Sequence, residues 1–507
     1  MKHDFLRICC LLLALLLAAA CAVSCGGDGD KPPVGGEESK DSGESVTVGG
    51  DDDGGTVNWR DRLPVAKYED VDVNMICYVA REEQFHTLEG ADTTGDLYAS
   101  AIFSRNSFIE DRYGVVINVD TAKSGNPQQE FVSICQSAQM SECEYDIILS
   151  ERFFGLEKGD YLCNLQTFDV LNLQNPYWVS GWNDKSTING YTFSAVGYMN
   201  RDVISNAELI FSNTYMERDL GIYGEVSQAV EDGSWTVEKM MTYAAQATSD
   251  VNGEGKPTYG LTYALWSGRA LLWSAGLSLA SKTDDAKVSF TLTSEKNYNI
   301  FQSLYTALRG ENAYYGGRSG SYDSKETGDR FVWLDGRSLF QAEAFTFATM
   351  AKDQYADFAM YPMPKYDSDP NVSYVTSIKE CNTSAIHKNA KDPVMSATIL
   401  EAMNILSYLD TTPVYYDKML KGRYSTNPET AKMVDLITDS ISVDFAFVHT
   451  AFFASIADVP FDLIDPKGET ENAGKGWYSA MGAYENSLNA YLEKMLPIFG
   501  VKTDTEK

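Results

Sequence analysis

The chain has 507 residues and a formal net charge of −31, which makes nucleic acid and anionic lipid surfaces unfavourable partners, since both repel so acidic a protein. Hydrophobic residues make up 44% of it, enough for packed cores, and the length suits two core-bearing lobes better than one. No short repeat is present, which argues against a solenoid.

Residues 1–24 have the order of a secretory signal: Lys2 and Arg7 precede an apolar run over 8–20 that closes in small residues. The run is too short and wrongly flanked for a membrane span. Lipidation is expected at Cys25, where Gly26-Gly27 follows as in bacterial lipoproteins, with Cys21 after Ala18-Ala19-Ala20 as the alternative. Plain signal cleavage, giving a free secreted protein, is the other reading of the same run. Residues 25–66 read as a disordered acidic tether, rich in Gly, Ser and Asp without apolar periodicity. Beyond the signal stand Cys77, Cys135, Cys143, Cys163 and Cys381, an odd number without a CxxC pair. They are expected to be mostly buried apolar residues, although Cys135 and Cys143 could pair in an oxidising compartment.

The first folded segment opens with a predicted strand over 73–79 that ends at Ala80-Arg81-Glu82. A helix follows from Leu97, with Tyr98, Ala101, Ile102 and Ile109 on one face, and stops at Gly114. Residues 115–119 form a second strand, and Asn126-Pro127 starts the next helix with a cap and a first-position proline. The short apolar run Ile147-Ile148-Leu149 is a third strand that runs into Glu151-Arg152-Phe153. This βαβαβ order predicts a parallel, doubly wound sheet, in which ligands bind beyond the carboxyl ends of the strands. Arg81, Glu82, Glu151 and Arg152 would then lie at a binding edge. A plain surface ion pair after a strand is the bland alternative for Glu151-Arg152.

The stretch Tyr145-Asp146-Ile147-Ile148-Leu149-Ser150-Glu151-Arg152-Phe153 resembles the strand and Asp-Arg-Phe turn of maltose-binding-type proteins, the sugar-binding lipoproteins of ABC importers (extracellular solute-binding protein family 1). In that family the acid and the arginine hydrogen-bond sugar hydroxyls, which implies that role for Glu151 and Arg152. Glu replaces Asp here, and an aromatic that precedes the pair in the best-known members is missing. The implied fold is α/β and two-lobed, of the periplasmic-binding-protein type II, each lobe a doubly wound sheet, hinged by interlobe crossings. The implied division is 67–196 and 376–450 for lobe 1, and 197–375 and 451–500 for lobe 2.

Further motifs extend the resemblance. Pro176-Tyr177-Trp178 through Phe193 is similar to the segment leading into the first crossing; Trp178 and Trp182 are expected to be packing residues, and Tyr198, just past that crossing, is a pocket candidate. At Gly233-Ser234-Trp235-Thr236 the residue types alone predict an amphipathic helix capped by Thr236, and the motif resembles the family's Gly-x-Trp-Thr helix. The loop Asp250-Val251-Asn252-Gly253-Glu254-Gly255 resembles the start of a calcium loop. Asp250, Asn252 and Glu254 would supply oxygens, but Thr258 and Tyr259 stand where further acids are needed, so a plain turn and no cofactor are expected.

Trp266 follows a strand-like 259–265 and precedes a predicted helix over 270–276, where the family places a sugar-stacking aromatic; half-buried packing is the equal alternative. Trp273, within the helical run, is expected in the core. Asp335-Gly336-Arg337 leads into a strand whose end carries Glu343 and Phe345, a position that the resemblance assigns to the cleft. Residues 357–364 are a strand, the chain recrosses near Tyr374, and helices are predicted over 392–408, 428–441 and 478–495.

The function implied is a lipid-anchored, monomeric receptor at the outer face of the bacterial cell membrane that binds a carbohydrate between hinged lobes and delivers it to ABC permease subunits. A secreted glycoside hydrolase, needing two carboxylates at a defined separation, is the rival, and a surface sugar sensor or adhesin without transport a third reading. Against an enzyme, the chain has no Gly-x-Ser-x-Gly or His-Glu-x-x-His, and only His86, His387 and His449 follow the signal.

Overall fold

The computed structural model describes residues 57–77, 97–122, 127–138, 141–151, 161–249, 256–283, 287–318, 328–355, 357–416, 428–453 and 455–501. Cys21, Cys25, Arg81, Glu82, Arg152, the side chain of Glu151, and Asp250, Asn252 and Glu254 lie outside them.

Among the described residues the strands are, in chain order, β1 (Val71–Cys77), β2 (Val115–Thr121), β3 (Ile147–Glu151), β4 (Glu208–Ser212), β5 (Tyr259–Tyr263), β6 (Ala280–Lys282), β7 (Val288–Phe290), β8 (Ala313–Tyr315), β9 (Ser338–Ala344), β10 (Ala359–Tyr361) and β11 (Asn382–Ala385). They form a four-stranded sheet, β11-β3-β1-β2, a five-stranded sheet, β10-β4-β9-β5-β8, and the hairpin β6-β7. The molecule is thus a two-lobed α/β protein.

In lobe 1 the parallel trio β1, β2 and β3 is separated by the helices Leu97–Tyr113 and Pro127–Ser137, the βαβαβ order expected from the sequence. Alternation sends successive side chains to opposite faces. Val73, Met75, Ile147 and Leu149 join one core with the helix Pro393–Leu406, while Ile76 and Ile148 join another with Phe131 and Cys135. The helix Pro393–Leu406 starts where Asp392 Oδ1 accepts from the Val394 and Met395 amides, and it is buried without interruption from Met395 to Leu406. Each large apolar side chain there contributes about 1.5–3 kcal/mol through burial.

In the five-stranded sheet only β4 runs against its neighbours, and in the four-stranded sheet only β11 does. These are the two strands that follow a crossing between the lobes. The first crossing passes through residues 206–208, later than the sequence reading had it, so Tyr198 lies before it and not past it. A second passes through 376–379 and a third through 440–443. They are laid edge to edge: Glu208 N donates to Ser377 O (2.9 Å), Lys379 N to Asn206 O (3.0 Å), Thr376 N to Ser440 O (2.9 Å) and Ser442 N to Thr376 O (3.0 Å). Gly181 is required beside the third, because a Cβ there would lie 2.0 Å from Ile441 O.

Because each reversed strand enters from the hinge, its first residue lies at the carboxyl edge of the parallel strands: Asn382 opposite Glu151, and Glu208 opposite Ala344. The hinge thereby brings the binding edges of both sheets to one place. The described cysteines are all free thiols, Cys163 half-buried and the rest buried. No described helix is long and apolar enough to cross a membrane.

Candidate ligand-binding cleft

At the carboxyl edge of lobe 2, β5 ends at Tyr263 and the chain turns directly into the helix Leu265–Ser274. Trp266 therefore sits in the first turn of a helix rather than in a loop before one. The turn is closed by Ser267, whose Oγ accepts from the Ala264 amide (3.1 Å). Gly268 lets this helix meet the helix Val459–Ile464 closely, since a Cβ there would lie 2.2 Å from the Phe461 ring.

The Trp266 ring is half-buried and carries two cations: the Arg269 guanidinium at 4.9 Å and the Lys379 ammonium at 5.7 Å from its centroid. Arg269 is held by Asp458 (3.0 Å) and more distantly by Asp462 (3.7 Å), which also faces Arg318 (3.6 Å). Trp266, Arg269, Ser377, Lys379, Phe447 and Asp458 line one small opening beside the second crossing. Its rim offers one aromatic surface, two cations and a carboxylate, a set suited to a polyhydroxylated ligand with an apolar face.

A buried acidic group lies within electrostatic reach of Lys379, through Glu208. Glu343 Oε2 accepts from Arg330 Nε (2.6 Å) and Oε1 from the Ala344 amide (3.0 Å). Asp329 Oδ2 accepts from Gln341 Nε2 (2.7 Å), whose Oε1 in turn accepts from Thr262 Oγ1 (2.7 Å). Burial, then the nearby Glu343 charge, push the Asp329 carboxyl up to about 6. Glu208 is 0% exposed and neither oxygen has a hydrogen-bond partner; burial first, and Glu343 second, hold its pKa well above the usual carboxylate range.

Lobe 1 presents a different edge. The Arg201 guanidinium lies against the paired rings of Tyr98 (5.1 Å) and Tyr415 (5.5 Å), and the neighbouring Asp202 accepts from the Asn382 backbone amide (2.8 Å). Near them Ser150 Oγ, Asn200 Oδ1 and both side-chain amide atoms of Asn382 are buried without hydrogen-bond partners.

Of the sequence-derived site residues, Trp266 and Glu343 come to the lobe 2 edge, Trp266 at the rim and Glu343 in the buried acidic group. Phe345 is 1% exposed and belongs to the core: the chain bends into the turn Phe345–Phe347 straight after β9, and its amide donates to Ala207 O (3.0 Å). A ring so placed has no free face for a ligand. Tyr198 is half-buried in lobe 1 beside Tyr408 (5.6 Å), and burial raises its phenol to about 12. Glu151 ends β3 at the lobe 1 edge. Arg81, Glu82 and Arg152 lie outside the described residues, as does the proposed calcium loop; Thr258 at its stem donates to the carbonyls of Ala247 (2.8 Å) and Ser249 (3.0 Å). Trp178, Trp182 and Trp273 are core residues, as expected. Sequence reasoning missed Arg201, Tyr98 and Tyr415 as a group, and Arg269, Lys379 and Asp458, since only the fold brings these together.

No protein-family model matches the sequence, and no curated protein sequence matches it. Solved structures do match over most of the chain. The sugar-binding protein MalE from Xanthomonas citri superposes with a TM-score of 0.56 at 13% identity, over 85% of this chain and 100% of that one. UgpB from Mycobacterium tuberculosis, in complex with glycerophosphocholine, gives 0.53 at 13% identity over 85% and 100%. The galacto-N-biose-/lacto-N-biose I-binding protein of the Bifidobacterium longum ABC transporter, in complex with lacto-N-biose, gives 0.53 at 12% identity over 86% and 100%. At such identities the likeness is one of architecture, and the chain has the two-lobed α/β fold of the ABC-transporter sugar-binding proteins.

Proposed function

We propose that this protein is an extracytoplasmic solute-binding protein that captures a carbohydrate, an oligosaccharide above all, between its lobes and delivers it to an ABC import permease. The observation that carries this reading is the half-buried Trp266 at the carboxyl edge of lobe 2, flanked by Arg269, Lys379 and Asp458 and set beside the crossing strands. An indole face accepts the apolar face of a sugar ring, while cations and a carboxylate take its hydroxyls. Two lobes joined by three short strands are suited to hinge closure around such a ligand. The names of the matching structures, which include two sugar binders, support the same class.

The protein acts as a monomer, held to the outer face of the membrane by lipid on Cys25 and spaced from it by residues 25–66. Diacylation would give stable anchoring where one chain is marginal. Neither a cofactor nor calcium takes part. Binding rather than hydrolysis is favoured because a glycosidase needs two accessible carboxylates flanking the bond, whereas Glu208, Asp329 and Glu343 are buried and Glu343 is tied to Arg330. A thermal-shift screen over mono- and oligosaccharides tests the proposal, because a ligand bound only by the folded state raises its melting temperature. At least one oligosaccharide should raise it; a flat response to the whole sugar set, with a shift for amino acids or peptides instead, would overturn the carbohydrate assignment.

A further inference from the structure

A second cavity lies at the far end of the helix Leu265–Ser274 from Trp266, about 12 Å along it at 1.5 Å per residue. Its volume is about 580 Å³, within the range of roughly 300–1,000 Å³ typical of small-molecule sites, which favour domain junctions. Lobe 1 contributes Lys185 and Thr187, lobe 2 contributes Trp273, Ser278 and Lys282, and the second and third crossings contribute Val375 and Ser442. Any molecule filling it would touch both lobes and the hinge at once.

Its wall carries two lysines, Lys185 and Lys282, and two aspartates, Asp444 and the exposed Asp184. Lys282 Nζ donates to Thr187 O (2.7 Å), a link from one lobe to the other. The Lys185 ammonium, half-buried, makes no hydrogen bond or ion pair among the described residues. The more buried carboxylate, Asp444, is already engaged: it accepts from the Ala446 amide (2.8 Å), Ser278 Oγ (2.9 Å) and the Leu279 amide (3.2 Å). Burial also raises the Asp444 pKa to about 6. Trp273, Leu277, Val375 and Phe445 form the apolar part of the wall.

We infer that this cavity is a second ligand site, for a compact organic anion whose charged group is held between Lys185 and Lys282 and whose carbon skeleton rests on the Trp273 and Leu277 wall. A ligand so placed couples to the hinge, and by linkage it and a ligand at the Trp266 edge must alter each other's affinity by the same factor. The two openings share Trp273 in their walls, but neither Lys185 nor Lys282 belongs to the Trp266 edge.

Calorimetry on the mature chain, with inorganic phosphate, glucose 6-phosphate and uncharged glucose as probes, tests the inference. Glucose 6-phosphate should bind more tightly than phosphate, and Lys185→Met and Lys282→Met should each weaken it about tenfold or more, as expected for loss of one charge-assisted contact. Trp266→Ala should leave it unchanged, which separates this site from the edge on which the proposed function rests. Lys185→Met breaks no contact within the protein, so it carries the test even if Lys282→Met lowers the melting temperature. Absence of heat from both anions at millimolar concentration would overturn the inference. So would anion binding that ignores Lys185→Met, or that disappears in Trp266→Ala.

Discussion

β4 and β11 enter their sheets in the same way, each reversed and each beginning where a crossing strand reaches a carboxyl edge, yet the residues they begin on differ in kind. β11 starts on Asn382, a neutral amide, among Ser150 and Asn200; β4 starts on Glu208, among Asp329, Glu343, Arg330 and Lys379. Both Asn382 and Glu208 are fully buried with side-chain oxygens that lack hydrogen-bond partners. An unsatisfied amide costs about 1–3 kcal/mol, and a charge costs more. Lobe 2 lessens that larger cost through the raised pKa of Glu208, which burial favours in its neutral form, and by pairing Glu343 with Arg330. The same topology therefore starts one reversed strand on a neutral amide and the other on a carboxyl whose protonation is linked to its neighbours.

The contrast can be broken most strongly at Arg330. Arg330→Ala would leave Glu343 buried without its cation, at a cost towards the lower end of about 3–5 kcal/mol because Arg330 retains some exposure. Denaturant unfolding of that variant should show the loss, and a stability equal to the parent's would mean that the pair contributes nothing. Arg330→Ala with Glu343→Gln should recover most of it.

A smaller effect is expected at Glu208, and its sign follows from linkage. A carboxyl whose folded pKa is raised holds more protons folded than unfolded, so its contribution to stability is greatest below the unfolded value, near 4, and falls as pH rises towards the folded value. Asp329 is lifted to about 6 and Glu208 well above the ordinary range, so melting temperature should decline between about pH 4 and neutrality, and Glu208 should extend the decline further. Glu208→Gln should flatten the alkaline part of that profile and raise the melting temperature by a few degrees at pH 9, with little change at pH 5. An unchanged slope would remove Glu208 from the account. The smallest effect belongs to lobe 1: Asn382→Leu, which exchanges an unsatisfied amide for an apolar side chain of similar size, should be nearly neutral or mildly stabilising at every pH. A large loss would show that the Asn382 amide has a partner after all.

The parts of this arrangement that the sequence announces are those with a local chemical signature. Asp392-Pro393 and Thr236 cap their helices as expected, Thr236 Oγ1 accepting from the Lys239 amide at 3.2 Å, and the uninterrupted apolar runs in β1 and β3 mark a sheet covered on both faces. The helix at Leu265 was missed at its start because its first turn is closed by Ser267 after an alanine, with no capping side chain at the usual position. Phe345 looks like a cleft aromatic in sequence because it follows a strand, and only the tight turn after β9 sends it inward. Glu208 is hidden in front of the apolar Leu209-Ile210-Phe211, where it reads as the charged flank of a strand. Arg201 meets Tyr98 and Tyr415 across long stretches of chain, and no spacing rule could have joined them.

The central claim is that the two carboxyl edges hold one sugar between them, and calorimetry with the best oligosaccharide from the thermal-shift screen tests it most directly. Parent protein, Glu151→Gln, Arg152→Ala and Trp266→Ala would be compared, each first shown to melt like the parent. The account predicts that the lobe 1 pair and the lobe 2 tryptophan each matter, with affinity falling about tenfold or more in every variant, as for loss of a charge-assisted hydrogen bond or a stacking surface. Parent-like binding in all three variants would contradict it and place the ligand elsewhere.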